Sequence, residues 1–282
     1  MARKIWVFVA LFAFGVGLMA LTPAEINDMV SKADGMEAAG KYEDSNKILM
    51  DVLKADPNNK QAYWMIARNW FDIGEIVPES NEKQKLDDYV QCETWARKGL
   101  EKDPNLAENY FYIAVGMSQQ ALVKGIAVSL GKAKGIEEYY MKTLAMHPTY
   151  KGTKDSTESN ADFALCQFYR RVPESSIMKL LFGTKGDMDK AVKYCGDAVK
   201  LYPNKIEFNK EMGMVLACRG NRRNVPADVE AGKKWLSKTT AMTPLTGLDK
   251  IDIADSKKVL DNPKLACGYS RVKQEEVTDV KK

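Results

Sequence analysis

The sequence predicts an all-α protein, a superhelix of about five degenerate helix pairs with inserted segments. Three observations lead to this prediction. Prolines end helical patterns at regular intervals, small residues recur at fixed positions between them, and the composition is that of a folded chain with a core, at 45% hydrophobic and 28% charged residues. A repeat array keeps one continuous core, so the 282 residues need not divide into separate globular domains.

Half of the ten prolines occupy the same phase of a repeat. At each of these prolines a helical pattern ends, because proline cannot continue a helix, and a new helical pattern starts within a few residues. Successive prolines of this set are separated by 47, 44, 55 and 41 residues, and each separation is longer than the about 34 residues of a tetratricopeptide unit. The units after the first therefore contain insertions. The five prolines are Pro57, Pro104, Pro148, Pro203 and Pro244.

Packing positions of tetratricopeptide type can be assigned in all five units. Small residues stand where two helices cross closely, because a bulky side chain would hold the pair apart. The assigned positions are Met29, Ala33, Met36, Gly40, Ser45, Leu49 and Val52 in the first unit, Tyr63, Ile66, Ala67, Trp70, Cys92, Ala96 and Gly99 in the second, Tyr110, Ile113, Ala114, Met117, Ile136, Tyr140 and Thr143 in the third, Phe163, Cys166, Gln167, Ala191, Cys195 and Ala198 in the fourth, and Asn209, Met212, Gly213, Gly232, Leu236 and Thr239 in the fifth.

Three surplus segments interrupt these units. Residues 77–88 are charged and predict a solvated loop or a short extra helix, whereas residues 122–134 are amphipathic and predict longer helices. Residues 171–186 contain the apolar run 177–183. The predicted repeat domain covers residues 21–245, and residues 246–282 predict a capping helix followed by a polar, mobile tail.

The first twenty residues have the layout of a secretory signal peptide. Arg3 and Lys4 precede an uncharged apolar run from Ile5 to Ala20, and a polar stretch follows. We expect export to the periplasm or secretion. The alternative is an uncleaved anchor that tethers the chain to a membrane, because the apolar run is only slightly shorter than the about 20 residues that span a bilayer.

The five cysteines are an odd number at irregular spacing, without a C-x-x-C pair. Four of them lie within helical apolar patterns, which favours buried thiols, since Cys is among the most buried residue types. In an exported chain a disulfide remains an alternative, and at least one thiol then stays free or pairs between molecules.

The sequence contains no pattern for catalysis, a metal or a cofactor. His147 is the single histidine and stands in a turn before Pro148, without a nucleophile or metal ligand at a suitable spacing. Phosphate loops, dinucleotide fingerprints and nucleophile elbows are absent from the sequence. The net charge of +4 is small and acidic residues are interspersed with basic ones, so we expect no nucleic-acid partner.

The residues beside the packing positions of each first helix are expected to face the concave groove of the superhelix. Aromatic rings with interspersed Arg and Lys suit an extended peptide with a carboxylate, or an amphiphilic small molecule. Alternatively, the insertions fold over this face and bury its aromatic residues, leaving a pocket for an apolar ligand. The predicted partner-binding residues are Gln61, Trp64, Arg68, Phe71, Phe111, Val115, Phe168, Arg171, Lys210 and Met214.

Two stretches resemble known families. The segment 107–148, with Tyr110-Phe111-Tyr112-Ile113-Ala114 and Gly135-Ile136-Glu137-Glu138-Tyr139-Tyr140, resembles the middle of the regulator of microtubule dynamics family. The segment from Ala161 through Phe182-Gly183-Thr184 to Lys234-Trp235-Leu236 is similar to that family's next portion, and to the T-component proteins of TRAP transporters. The resemblance implies a helical-repeat fold. A microtubule role implies a cytosolic location, whereas a transporter role fits export.

We therefore expect a non-catalytic, exported scaffold that binds a protein or peptide through its concave face. The alternative is an accessory component of a solute transporter that binds an apolar or carboxylated small molecule. A groove open along its length favours the first function, and a closed apolar cavity favours the second.

Overall fold

The computed structural model describes residues 21–152, 155–272 and 274–275. The predicted signal peptide lies outside this range. The helices are α1 (Pro23–Ala38), α2 (Tyr42–Ala55), α3 (Lys60–Ile76), α4 (Glu82–Lys102), α5 (Ala107–Lys124), α6 (Ile126–Ser129), α7 (Ala133–Ala145), α8 (Thr157–Arg171), α9 (Ser176–Phe182), α10 (Met188–Leu201), α11 (Ile206–Arg223), α12 (Pro226–Thr240) and α13 (Gly247–Asp261), with 3-10 turns at Leu130–Lys132 and Pro263–Ala266.

Helices that follow one another in the chain pack against each other in five pairs. The pairs are α1 with α2, α3 with α4, α5 with α7, α8 with α10, and α11 with α12. The second helix of each pair packs in turn on the first helix of the next, and α13 packs on α11 and α12. This arrangement confirms the predicted all-α superhelix of five helix pairs.

Three of the turns between pairs contain the same hydrogen bond. A side chain six residues after the turn proline donates to that proline's carbonyl oxygen, which lies past the end of a helix. Tyr63 Oη donates to Pro57 at 2.8 Å, Tyr110 Oη donates to Pro104 at 3.0 Å, and Asn209 Nδ2 donates to Pro203 at 2.9 Å. Because the proline lies in the turn and the donor lies on the next helix, each bond links the turn to the start of that helix.

Helix crossings within the pairs and between them depend on glycine. A Cβ atom on Gly232 would lie 2.7 Å from both the Ala217 nitrogen and the Gly213 carbonyl oxygen of the facing helix. A Cβ on Gly116 would lie 2.8 Å from the Glu93 nitrogen. These distances are far below a van der Waals contact. Of the assigned glycines, Gly99, Gly213 and Gly232 lie at close crossings, whereas Gly40 lies in the turn between α1 and α2 and a Cβ there would meet no atom within 4 Å.

The insertions differ from expectation. Most of residues 77–88 extends α4, which starts at Glu82, instead of forming a solvated loop. Residues 122–134 lengthen α5 and α7 only at their two ends. Between these ends Gly125 has a φ of 99°, which interrupts the helix, and the short α6 and a 3-10 turn follow. The apolar run after residue 176 forms the separate helix α9.

Four of the five cysteines are bridged. One disulfide joins Cys166 on α8 to Cys195 on α10, and another joins Cys218 on α11 to Cys267. Cys92 on α4 is a buried free thiol. The favoured interpretation of the cysteines as buried thiols was therefore wrong for four of them, since apolar helix faces that pack together can also bring two cysteines into contact.

The described residues of the C-terminal segment, defined as residues 263–275, pack against the repeat domain, where we expected a mobile tail. The buried Arg170 guanidinium donates to the carbonyl oxygens of Ala266, Cys267 and Tyr269 at 2.7 to 3.0 Å. The Glu275 carboxylate accepts a hydrogen bond of 3.0 Å from the Ile126 backbone nitrogen. A charged side chain buried inside the superhelix thus binds the backbone of this segment.

Candidate functional site

A partly open cavity of about 720 Å³ lies on the side of the superhelix formed by the first helices of the pairs. Its wall includes residues of α1, α3, α5, α8 and α11, which are those first helices. We call it the concave cavity. Its volume lies in the range of about 300 to 1,000 Å³ that is typical of pockets for small ligands.

Six of the ten residues that the sequence predicted for partner binding line the concave cavity. They come from three helix pairs, so the fold brings together side chains that are up to about a hundred positions apart in the chain. The six residues are Arg68, Phe71, Phe111, Val115, Phe168 and Arg171.

The other four predicted residues do not line this cavity. Gln61 is exposed, whereas Trp64, Lys210 and Met214 are buried in the packing between helices. Trp64 packs against the Tyr150 ring at 5.1 Å between ring centroids. The three buried residues lie on α3 and α11, which pack against several neighbouring helices, so the structure does not place them on an accessible concave face. Gln61 is accessible but lies outside the cavity wall.

One side of the concave cavity is apolar. The insertion after α5 contributes to this side, so the alternative that insertions fold over the groove holds for part of residues 122–134. Phe111 and Phe168 are buried, as this alternative expected, and they line the cavity. The apolar lining residues are Phe111, Val115, Leu122, Ile126, Leu130, Ala133, Ile136, Phe168 and Val172.

The cavity wall also contains carboxylates near Arg68. Its guanidinium pairs with Asp34 at 2.7 Å and with Glu37 at 3.4 Å, and donates to Tyr150 Oη at 3.0 Å. Burial raises the pKa of both Glu37 and Asp72, and the negative charge of Glu37 raises the pKa of Asp72 further. Both carboxyl groups therefore hold a proton more readily than an exposed carboxyl group does.

Arg171 is a cation on the cavity wall without a carboxylate partner among the described residues. The other lining cations, Arg68, Lys205 and Arg271, all form ion pairs within the described chain. The Nε atom of Arg171 is buried and has no hydrogen-bond partner. Burial and the positive charge of Arg170 lower the pKa of Arg171 to about 10, so it remains charged at neutral pH. Such a group favours an anion.

Arg271 of the C-terminal segment lies among three carboxylates at the edge of the cavity. Its guanidinium pairs with Asp252 at 2.7 Å, Glu207 at 3.0 Å and Glu75 at 3.1 Å. Burial raises the pKa of the Asp252 carboxyl, but the charges of Lys210 and Arg271 outweigh this effect and hold the pKa at about 2. Sequence reasoning missed this cluster, because its members come from helices that are distant in the chain and carry no local pattern.

Two features of the described residues bear on chemistry, namely potential metal ligands and the single histidine. Within them, no group of three or more His, Cys, Asp or Glu side chains could hold a metal ion. His147 lies outside the cavity wall, in the turn that follows α7, with a φ of 53°. None of the helices described is long and apolar enough to cross a membrane.

Comparison with known proteins identifies relatives in sequence. A family model described as regulator of microtubule dynamics protein 1-3 matches residues 29–154. The regulator of microtubule dynamics protein 1 of Pongo abelii is 24% identical over 190 residues, which is 66% of this chain and 58% of that protein. The chain spans about half the length of the curated relatives it matches.

Solved structures show the same fold. A thermophilic TPR protein from Thermus thermophilus superimposes with a TM-score of 0.54 at 12% identity, covering 83% of this chain and 99% of that one. A monomeric IFIT1 mutant with m7Gppp-AAAA superimposes with a TM-score of 0.58 at 14% identity, covering 86% of this chain and 48% of that one.

The fold and the sequence similarity therefore point to the same kind of protein. The chain is a tetratricopeptide-like helical protein that resembles the regulator of microtubule dynamics family.

Proposed function

We propose that the chain is a non-catalytic scaffold that binds a protein partner, and that an extended segment of this partner enters the concave cavity. The observation that carries the proposal is the unpaired Arg171 on the wall of a cavity with one apolar side. A guanidinium binds a carboxylate through parallel hydrogen bonds, and apolar pockets select the neighbouring side chains. The partner segment therefore carries an acidic residue or a chain terminus next to apolar residues.

The C-terminal segment supports this proposal, because a stretch of irregular polypeptide already packs at the edge of the cavity. Its Arg271 is held by Glu75, Glu207 and Asp252. The cavity wall thus contains carboxylates that already bind a cation of this segment, as well as Arg171, which suits an anion.

A second candidate is a carboxylated apolar small molecule, which the chain would hold for a solute transporter. The volume of about 720 Å³ and the insertion that forms part of the wall favour it. In this case the carboxylate would also bind at Arg171, and the apolar part would contact Phe111 and Phe168.

A photo-crosslinking experiment tests the first candidate. A photoreactive amino acid replaces Gln119, a cavity-lining residue, in the chain alone and combined with Arg171→Gln. We expect one crosslinked protein that is lost with Arg171→Gln and retained with Arg97→Gln, which changes a guanidinium outside the cavity wall. Equal crosslinking in all three proteins would reject the cavity as the binding site.

Native mass spectrometry tests the second candidate. A small molecule bound at purification adds a discrete mass under native conditions and is lost on denaturation. Ala164→Trp introduces a bulky ring at a cavity-lining position and is expected to prevent this binding. An added mass that persists in Ala164→Trp would show that the molecule binds elsewhere.

We also propose that the chain is exported, in the periplasm or secreted, with a membrane-tethered form as the alternative. The two disulfides support this location, because such bonds persist in oxidising compartments. A microtubule partner, which the names of the relatives suggest, would instead require a cytosolic location. Mass measurement of the N-terminus of the protein purified from its source tests cleavage after Ala20. A chain recovered from the cytosol with its cysteines reduced would contradict export.

A further inference from the structure

The two longer insertions expose large apolar side chains. On α6, Val128 is 79% exposed, and on α9, Leu180 and Leu181 are 83% and 63% exposed. Other apolar residues of the same insertions are buried, as Met178 is. Exposed aliphatic groups that are clustered, rather than scattered, mark an interaction surface.

These side chains belong to one region of the surface, because the two insertions meet. Helix α9 packs against the 3-10 turn Leu130–Lys132, which directly follows α6. At the end of α9, Gly183 lies against the side chain of Lys134, and a Cβ there would lie 2.7 Å from its Cδ. Met178 is fully buried and anchors α9 in this position. We call this region the insertion patch, comprising Val128, Ile177, Leu180 and Leu181.

The charge around the insertion patch is mainly positive. Residues 122–134 and 171–186 contain five lysines and one arginine against the single carboxylate Glu174. Three carboxylates outside these segments also contact them, namely Glu137, Glu138 and Glu275. Lys134 pairs with Glu138 of α7 at 3.6 Å. The other four lysines are Lys124, Lys132, Lys179 and Lys185, of which the first three are exposed.

We propose that the insertion patch binds the surface of an anionic phospholipid bilayer. Aliphatic side chains enter the boundary between headgroups and acyl chains, and the surrounding lysines bind anionic headgroups. A protein partner is disfavoured because lysine is depleted, and aromatic residues and arginine are enriched, at protein interfaces. This inference is independent of the proposed partner in the concave cavity and of the first twenty residues.

Docking through this patch also brings the cavity close to the bilayer. Ile126 and Leu130 belong to the same insertion as Val128 and line the apolar side of the cavity. The insertion would then contact the membrane with one side and the cavity with the other.

A local fluorescence measurement on the full chain tests the proposal, whether or not the first twenty residues also bind the membrane. Leu180→Trp places a reporter in the patch, and Ile76→Trp places one at a 58% exposed aliphatic position that lies outside both insertions. The native tryptophans are common to both variants and to the unsubstituted chain. Subtracting the spectrum of the unsubstituted chain therefore leaves the emission of the new ring. Vesicles contain phosphatidylcholine alone or with phosphatidylglycerol, with and without brominated acyl chains.

We expect anionic vesicles to shift the emission of Leu180→Trp to the blue and brominated acyl chains to quench it, with no effect on Ile76→Trp. Replacing Lys124, Lys132 and Lys179 by Gln in the Leu180→Trp chain should weaken this binding on the order of 100-fold, since each lysine near an anionic surface contributes roughly fivefold. Retained helical circular dichroism shows that this variant is folded.

Three outcomes would overturn the proposal. The first is an absent blue shift with anionic vesicles, and the second is equal binding to neutral vesicles. The third is a shift that appears without vesicles as protein concentration rises, because it would assign the patch to contact between copies of the chain.

Discussion

Gly232→Ala tests the packing on which the whole superhelix depends. The new Cβ would lie 2.7 Å from the Ala217 nitrogen and the Gly213 carbonyl oxygen, whereas non-bonded heavy atoms prefer about 3.5 to 4.0 Å. Helices α11 and α12 would have to separate by roughly 1 Å. Both obstacles are backbone atoms, so no side chain can rotate away. Such overpacking costs about 1 to 3 kcal/mol, and the better helix propensity of alanine offsets up to about 1 kcal/mol.

Gly196→Ala is the matched control. Gly196 lies within α10, and a Cβ there would meet no atom within 4 Å, so only the propensity gain of about 0.5 to 1 kcal/mol remains. We expect thermal unfolding, followed by circular dichroism, to show a lower Tm for Gly232→Ala and a higher Tm for Gly196→Ala. The two values should differ by several degrees, at about 2 to 4 °C per kcal/mol. A Gly232→Ala protein as stable as Gly196→Ala would refute the assigned helix crossing.

Three further predictions follow from the buried groups. Thiol titration in denaturant should detect one thiol per chain, that of Cys92, before reduction and five after it; three or more before reduction would contradict a disulfide. Burial and nearby carboxylates raise the pKa of Asp162 to about 7, so its ionisation destabilises the folded state as pH rises from the unfolded value of 3.8 through about 7. Asp162→Asn should therefore be more stable than the wild type at pH 8, by on the order of 1 to 2 kcal/mol after allowing for solvent screening. At pH 4 we expect no gain in stability. A gain of equal size at pH 4 and pH 8 would argue against titration of Asp162. Arg271→Gln should lower the free energy of unfolding by roughly 3 kcal/mol, because it leaves buried Asp252 with one cation fewer, and should speed proteolysis of the C-terminal segment. The loss of the exposed ion pair in Arg97→Gln should cost under about 1 kcal/mol, and equal losses in both variants would contradict this role of Arg271.

The candidate site was predictable only where local spacing decides which way a side chain points. Phe111 and Val115 lie four residues apart on α5, and Phe168 and Arg171 lie three apart on α8, so helical periodicity directs each pair to the cavity. On α11 the same periodicity failed for Lys210 and Met214. That helix packs against helices of its own pair, the preceding pair and the cap, which no single-helix pattern reveals.

The sequence by itself determined the number of helix pairs, the turns between them and the close crossings, because prolines and glycines act on the backbone within a few residues of their own positions. Only the tertiary structure decided how four cysteines pair, where the insertions meet and how Arg271 reaches Glu75, 196 positions away. Such contacts depend on the summed angles of many helix crossings. A small change at each crossing shifts distant residues by many ångströms, and local sequence patterns do not specify those angles.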